Sequence, residues 1–265
     1  MKISLGQYIP GKTPVHKADA RTNFLSMIAY MVSMMLIETF IGYGIAAVFV
    51  LATYLIARLP MKYIFRSIRP VLFIVIFTMI LNLFIHTGHT VWFEWKFIVI
   101  YKESVFYCIK IALRVLLLVM GASLLTYTTT SSELTDGIES LLSPLKIIRF
   151  PAHDIAMMMS IALRFIPTFS DELDRIVKAQ MARGTDFDSK NLIKKVKSYV
   201  PVLIPLFVSA WRRASDLATA MNARGYRGAE GRTRYRVHKF TYIDIIMAII
   251  MVIFAGAIVT LKILL

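Results

Sequence analysis

Long apolar blocks separated by short basic connectors dominate the chain. Thr22 to Ala57 is 36 residues with one charge, Glu38; Pro70 to Phe93 holds no Asp, Glu, Lys or Arg; Ile245 to Leu261 is uncharged. Each block is near or above the roughly 18–20 residues that carry a helix across the hydrocarbon core of a bilayer. The first block is too long for one span and too short for two long ones, and Glu38, Gly42 and Gly44 break it near its middle. The pattern predicts spans at about Asn23–Glu38, Phe40–Ala57, Val71–His86, Val105–Tyr127 and Tyr242–Leu261. Between the third and fourth, TGHTVWFEWKFIVIYKES is aromatic and poor in charge, which predicts an interfacial hairpin or a short helix.

The distribution of Lys and Arg predicts an orientation. Residues 1–23 carry Lys2, Lys12, Lys17 and Arg21, and residues 58–69 carry Arg58, Lys62, Arg66 and Arg69. The turn at Glu38 has none, and 87–104 has only Lys96 and Lys102. The positive-inside rule places the N-terminus in the cytoplasm, and five spans then place the C-terminus outside. The segment between spans four and five falls in the cytoplasm.

That segment divides the chain into three parts: 1–130, 131–239 and 240–265. From Pro144 to Lys239 it holds 18 Lys and Arg against 8 acids, a net +10, yet it contains PAHDIAMMMSIALRFIP and SYVPVLIPLFVSAW. A solvated tail lacks such apolar runs; they predict helices that bury one face or lie in the membrane surface. Thr130 and Glu133 have capping-box spacing. Leu134, Ile138, Leu141, Leu142 and Leu145 then form one helical stripe, with Lys146 and Arg149 at the end favourable for cations. A second helix is expected from Pro151 to about Arg183, kinked at Pro167. A third is expected from about Val200 to Arg224, preceded by NLIKKVKSYV, whose lysines suit an anionic lipid surface.

Composition agrees with the pattern. Apolar residues make up 57% and charged residues 18% of 265, against roughly 45–50% and 25% in soluble domains. The net charge of +15 would suggest nucleic acid in a soluble chain; here basic loops account for it, and no nucleic-acid partner is expected. The basic N-terminus has no apolar core of a cleavable signal peptide. Cys108 is the sole cysteine and reads as a small buried hydrophobe.

One short pattern occurs twice. Ala179-Gln180-Met181-Ala182-Arg183-Gly184 and Ala220-Met221-Asn222-Ala223-Arg224-Gly225 both fit A-x-x-A-R-G, and each ends a helical pattern. Gly after the last helical residue is a common C-cap, and Arg complements the negative helix end. Alanines three apart leave a smooth face, and the guanidinium offers a planar fork to a carboxylate or to backbone carbonyls. A single copy reads as an ordinary cap. Two copies in one basic segment point to two equivalent docking events.

The paired motif resembles the transmembrane scaffold subunit (T component) of energy-coupling-factor transporters. Asp19-Ala20-Arg21-Thr22 is similar to the family's D-P-R-[ST], departing from it at Ala20. TTTSSELTDGIESLLSPLK and Leu163-Arg164-Phe165-Ile166-Pro167 also resemble the family, and the likeness covers about residues 17–260. It implies an all-α membrane protein of about five transmembrane helices with a cytoplasmic coupling domain of long amphipathic helices. The two motif helices would cross in an X on a pair of ATP-binding-cassette ATPases. Arg183 and Arg224 would dock there, with Ala182, Gly184, Ala223 and Gly225 shaping the tips. The apolar helix faces would hold a substrate-binding membrane subunit (S component) that takes up a vitamin or metal ion, and the lipid bilayer completes the surroundings.

Other residues support less. His86 and His89 are two ligands without a nearby Cys or carboxylate cluster, so they read as interfacial loop rather than metal site. Lys110 and Arg114 lie four apart inside span four; intramembrane cations are functional candidates, but snorkelling or pairing with Glu94, Glu103 or Glu38 serves as well. Met157, Met158 and Met159 suit either plain packing or an adaptable partner surface. There is no G-x-x-x-x-G-K-[ST] loop, nucleophile elbow or H-E-x-x-H, so neither ATP hydrolysis, a cofactor nor a resident metal is expected. A permease with its own path would line several spans with polar groups, and a membrane enzyme would cluster them at one face; neither pattern is present.

Overall fold

The computed structural model describes residues 8–85, 90–95, 98–144, 151–187, 189, 191–228 and 240–264. In chain order the elements are α1 (Pro14–Lys17), α2 (Ala20–Leu36), α3 (Phe40–Ile56), α4 (Met61–Ile85), β1 (Val91–Trp95), β2 (Ile98–Tyr101), α5 (Lys102–Thr128), α6 (Ser131–Leu142), α7 (Ala152–Ala182), α8 (Leu192–Ala223) and α9 (Tyr242–Leu264). The fold is an all-α membrane protein with one small antiparallel ribbon, β1–β2, in register Glu94↔Val99 and Trp95↔Ile98. The aromatic segment therefore takes the hairpin alternative. Two compact units emerge, one spanning Gly6–Gly137 with His238–Leu265, the other taking in Ile138–Val237.

Met61–Leu83, Lys102–Thr128 and Tyr242–Leu264 are long and apolar enough to cross a membrane alone; Phe40–Ile56 is apolar but shorter. At 17 residues, α2 and α3 each reach about 25 Å, short of the ~30 Å hydrocarbon core. Two boundaries differ from expectation. The stretch 58–69 is not a basic loop: α4 begins at Met61, carries Lys62, Arg66 and Arg69 in its first turns, and continues through Pro70. Likewise α8 begins at Leu192 rather than near Val200, and runs through Pro201 and Pro205. In both cases strong helix formers (Met61, Lys62, Arg66 and Arg69; Leu192, Lys194, Lys195 and Lys197) precede the proline, and an internal proline deletes one backbone bond without ending a helix that packing holds. Helix α7 contains Pro167. His86, His89, Leu145, Lys146 and Arg149 lie outside the described residues.

Local chemistry sets several helix starts. Asp19, Thr39 and Asn191 are N-caps whose side chains accept from the N–H groups of Arg21, Gly42 and Ile193. Thr130 and Glu133 form the expected capping box: Thr130 Oγ1 accepts from Glu133 N at 3.2 Å, and Glu133 Oε2 accepts from Thr130 N at 3.1 Å. At α9, the buried Asp244 accepts from Thr241 N and from Asp19 N, both at 2.7 Å. One carboxylate thus joins the N-termini of α2 and α9, where the helix dipoles favour negative charge.

In the first unit α2 packs on α5 and α9, while α3 and α4 pack on α5. Buried Tyr30, Met34, Tyr43, Val50, Tyr54, Leu117, Tyr127, Phe254 and Ile258 form its centre. Between helices in lipid, association relies on close packing and hydrogen bonds rather than on expulsion of water. The tyrosines supply both: Tyr30 donates to Leu117 O at 2.9 Å and Tyr54 to Met120 O at 3.1 Å. Gly121 makes room for the first, since a Cβ there would lie 2.2 Å from Tyr30 Cε1. Large side chains such as Val48, Phe65, Phe73, Ile245 and Val252 point outward, as expected of a surface solvated by lipid.

Helix α3 ends in a Schellman motif: Leu59 N donates to Tyr54 O at 3.1 Å and Arg58 N to Leu55 O at 3.0 Å. The left-handed position is held by Arg58, at φ 52°. A side chain there costs about 1–2 kcal/mol relative to glycine.

Two capped helix tips and their crossing

Helices α7 and α8 both terminate in a Schellman motif. After α7, Gly184 N donates to Met181 O at 2.9 Å and Thr185 N to Gln180 O at 3.0 Å; after α8, Gly225 N donates to Asn222 O at 2.9 Å and Tyr226 N to Met221 O at 3.0 Å. The two copies therefore use the same atoms at the same offsets. Arg183 (φ −88°, ψ 6°) and Arg224 (φ −85°, ψ 6°) are the C-cap residues. Gly184 and Gly225 adopt φ 86° and 73°, the left-handed region that favours glycine. A Cβ at either would meet nothing within 4 Å, so backbone conformation and not space selects glycine.

All six expected docking residues, Ala182, Arg183, Gly184, Ala223, Arg224 and Gly225, are exposed, as are Ala179 and Ala220. Each tip is a bare alanine face ending in a guanidinium. Among the described residues the side chain of neither Arg183 nor Arg224 has a hydrogen-bond or ion-pair partner. A side chain with five donors and no intramolecular acceptor is available to a partner.

The helices that carry the tips run past each other in opposite senses. Glu172 meets Arg213 (Oε2 to Nη2, 3.1 Å), Gln180 Nε2 donates to Pro201 O at 3.5 Å, and the Phe187 ring lies 5.3 Å from Tyr199. Glu172 and Arg213 are 41 residues apart, the same offset as Arg183 and Arg224. Each therefore precedes the arginine of its own tip by eleven positions, and equivalent positions of the two copies meet where α7 and α8 pack. This is the relation a local two-fold produces. The tips lie on opposite sides of that point, each about 16 Å from it along its helix. The repeat spacing in the sequence carried this signal, but only for a reader who extends the motif eleven residues upstream.

Helix α8 also presents an apolar stripe outward: Ile193, Val196, Val200, Ile204, Phe207 and Trp211 are 45–70% exposed. On α7, Met158 and Met159 are exposed as well, while Met157 is half-buried.

The cations inside α5 have structural partners. Arg114 donates to Ile37 O at 2.6 Å and to Tyr43 Oη at 3.1 Å, satisfying the free C-terminal end of α2, and Lys110 Nζ lies 5.3 Å above the Phe40 ring. Among the described residues neither cation forms an ion pair; Arg114 takes up a carbonyl at the end of α2 that lacks a helical partner, and both cations act on Glu38 only through space. Glu38 instead pairs with Lys262 at 2.9 Å, and this hydrogen bond holds its carboxyl below the usual range. Glu103 accepts from Thr90 Oγ1 at 2.7 Å. Cys108 is buried, its thiol directed at Met79 O. Among the described residues no three His, Cys, Asp or Glu side chains gather as a metal site.

Comparison with known proteins places this architecture. Residues 11–235 match the family described as cobalt transport protein. The energy-coupling factor transporter transmembrane protein EcfT of Ruminiclostridium cellulolyticum is 51% identical over 252 residues, covering 95% of this chain and 94% of the relative. The protein of the same name from Clostridium kluyveri is 46% identical, with 93% and 92% covered, and that from Bacillus subtilis 40%, with 95% of each. These are named as transporter transmembrane proteins, and the name implies a complex with further components. The chain belongs to the family of energy-coupling factor transporter transmembrane proteins, within the broader cobalt transport protein family.

Proposed function

We propose that this chain is the membrane scaffold that links two ABC-type ATPase subunits to a substrate-binding S component, and that each Arg–Gly tip seats one ATPase. The observation that carries the reading is the identity of the two tips: the same Schellman hydrogen bonds, the same exposed alanine face and the same unpartnered arginine, on opposite sides of one crossing. A two-fold relation between tips suits a pair of similar or identical partners. The exposed stripe on α8 suits an apolar membrane partner, since it is neither buried in the chain nor polar. Residues 131–239 then act as the cytoplasmic coupling region, and 1–130 with 240–265 form the membrane part, with the N-terminus inside and the C-terminus outside. The chain carries no phosphate loop and hydrolyses no ATP; the ATPases move the tips, and the S component, which selects a vitamin or metal ion, moves with them.

The test is the amount of ATPase that co-purifies with wild type, Arg183→Ala, Arg224→Ala and the double variant at equal membrane expression. Loss of an interface arginine of this kind costs on the order of 2 kcal/mol, roughly a 30-fold weakening. Each single loss is buffered by the remaining tip at high effective concentration, so the double variant falls far below either. Arg→Lys restores part of the binding, because Lys lacks the planar fork. Unchanged ATPase recovery and transport in the double variant would reduce the tips to helix caps.

A further inference from the structure

We propose that the first unit holds one anionic phospholipid as an integral ligand, with its phosphate between Lys12 and Arg58 and an acyl chain in the cavity enclosed by α2, α3, α5 and α9. Two adjoining spaces carry the argument. The inner one, of 430 Å³, is lined by residues such as Met27, Val50, Leu125, Met247 and Ile250. Of its polar lining residues, Asn23, Tyr30, Thr53 and Thr128 already donate to Val15, Leu117, Phe49 and Leu124 carbonyls, which leaves the hydroxyls of Ser26 and Tyr242. A polar solute would find few free partners there; a hydrocarbon chain needs none. Ile246 and Ile250 on one rim are about half exposed, so the cavity is open to the surrounding lipid. The stacked rings of Tyr30, Phe49 and Phe254 lie at its inner end. From Phe49 to Ile56 the depth is about 10 Å, most of one leaflet's ~15 Å share of the hydrocarbon core.

The outer space, of 560 Å³, shares Pro14 and Ile56 with the inner one and is bounded by residues 9–16 and 55–59. Its lining contains the cations Lys12 and Arg58 and no acid. Among the described residues neither cation has an acidic partner. His16 is not a third cation. Its ring bridges Thr13 Oγ1 at 2.7 Å and Ile9 O at 3.1 Å, and burial pushes its pKa below the ordinary histidine value. Arg58 occupies a left-handed position that a glycine would fill without strain, as Gly184 and Gly225 do in the same motif elsewhere. Strained residues of this kind concentrate at ligand clamps. A polar, cationic chamber beside a leaflet-deep apolar one matches a phospholipid: an anionic headgroup over a chain. The proposal is independent of the docking tips.

The test uses full-length chain, purified in detergent, delipidated and incubated with an equimolar mixture of dioleoyl phosphatidylglycerol and dioleoyl phosphatidylcholine; native mass spectrometry counts the adducts. One phosphatidylglycerol is expected per chain, at least fivefold over phosphatidylcholine. Arg58→Gly, which relieves the backbone, and Lys12→Ala each lower the preference about fivefold. Ile250→Trp, which fills the cavity, lowers retention of both lipids. Equal retention of the two lipids, or an unaltered preference in Arg58→Gly, overturns the proposal. So does displacement of the phosphatidylglycerol by glycerol 3-phosphate, which would make this a soluble-phosphate site. If Ile250→Trp fails to fold, the two charge variants decide alone.

Discussion

Reversing the charge of Glu172 tests whether the crossing of α7 and α8 holds the two tips in place. The Glu172–Arg213 pair is half-buried, with side chains 24% and 40% exposed, so solvent screening limits it to about 0.2–1 kcal/mol. Glu172→Arg replaces that attraction with repulsion of similar size, a swing of about 0.4–2 kcal/mol, or roughly two- to thirtyfold in the population of the native crossing. Each tip stands about 16 Å from the pivot, so a 10° change of crossing angle displaces it by about 3 Å, a hydrogen-bond length. The caps themselves are untouched, because their bonds are local to residues 180–185 and 221–226. Spin labels at positions 185 and 226 of the purified chain, read by pulsed dipolar spectroscopy, should give a main separation of at most about 50 Å in the wild type (two ~20 Å arms plus the ~10 Å interaxial distance). Glu172→Arg should shift or broaden that distribution, and Glu172→Arg with Arg213→Glu should restore it. A distribution that ignores the single reversal, or that the swap fails to restore, would refute the claim that this pair sets the crossing.

Three further outcomes follow from the packing. Asp244→Ala orphans the N–H groups of Thr241 and Asp19 at about 1–3 kcal/mol each; thermal melting in detergent should fall markedly, whereas Asp244→Asn, which keeps one acceptor, should fall less. Gly121→Ala drives a methyl group into the Tyr30 ring and should cost about 1–3 kcal/mol on the same measurement, with Tyr30→Leu relieving part of it. Gly184→Ala meets no neighbour but carries the ~1–2 kcal/mol left-handed penalty; local hydrogen exchange at 181–186 should rise while the melting temperature stays nearly constant, and a large melting shift would contradict this.

What the sequence determined by itself was everything decided within a few residues of chain. The Thr130–Glu133 box and both Arg–Gly caps close through bonds spanning three to five positions, so their residues suffice to specify them. The apolar blocks placed α3, α5 and α9 within a few residues, because span length is set by the bilayer rather than by neighbours. Tertiary structure decided the rest. Prolines at 70 and 201 look like boundaries locally, yet lie inside helices that contacts elsewhere sustain. Asp19 with Asp244, Arg114 with Ile37 and Glu172 with Arg213 join positions 225, 77 and 41 residues apart. No local propensity encodes such partners: a charge inside an apolar helix announces that it needs a partner, and only the packing of helices determines which unsatisfied group meets it.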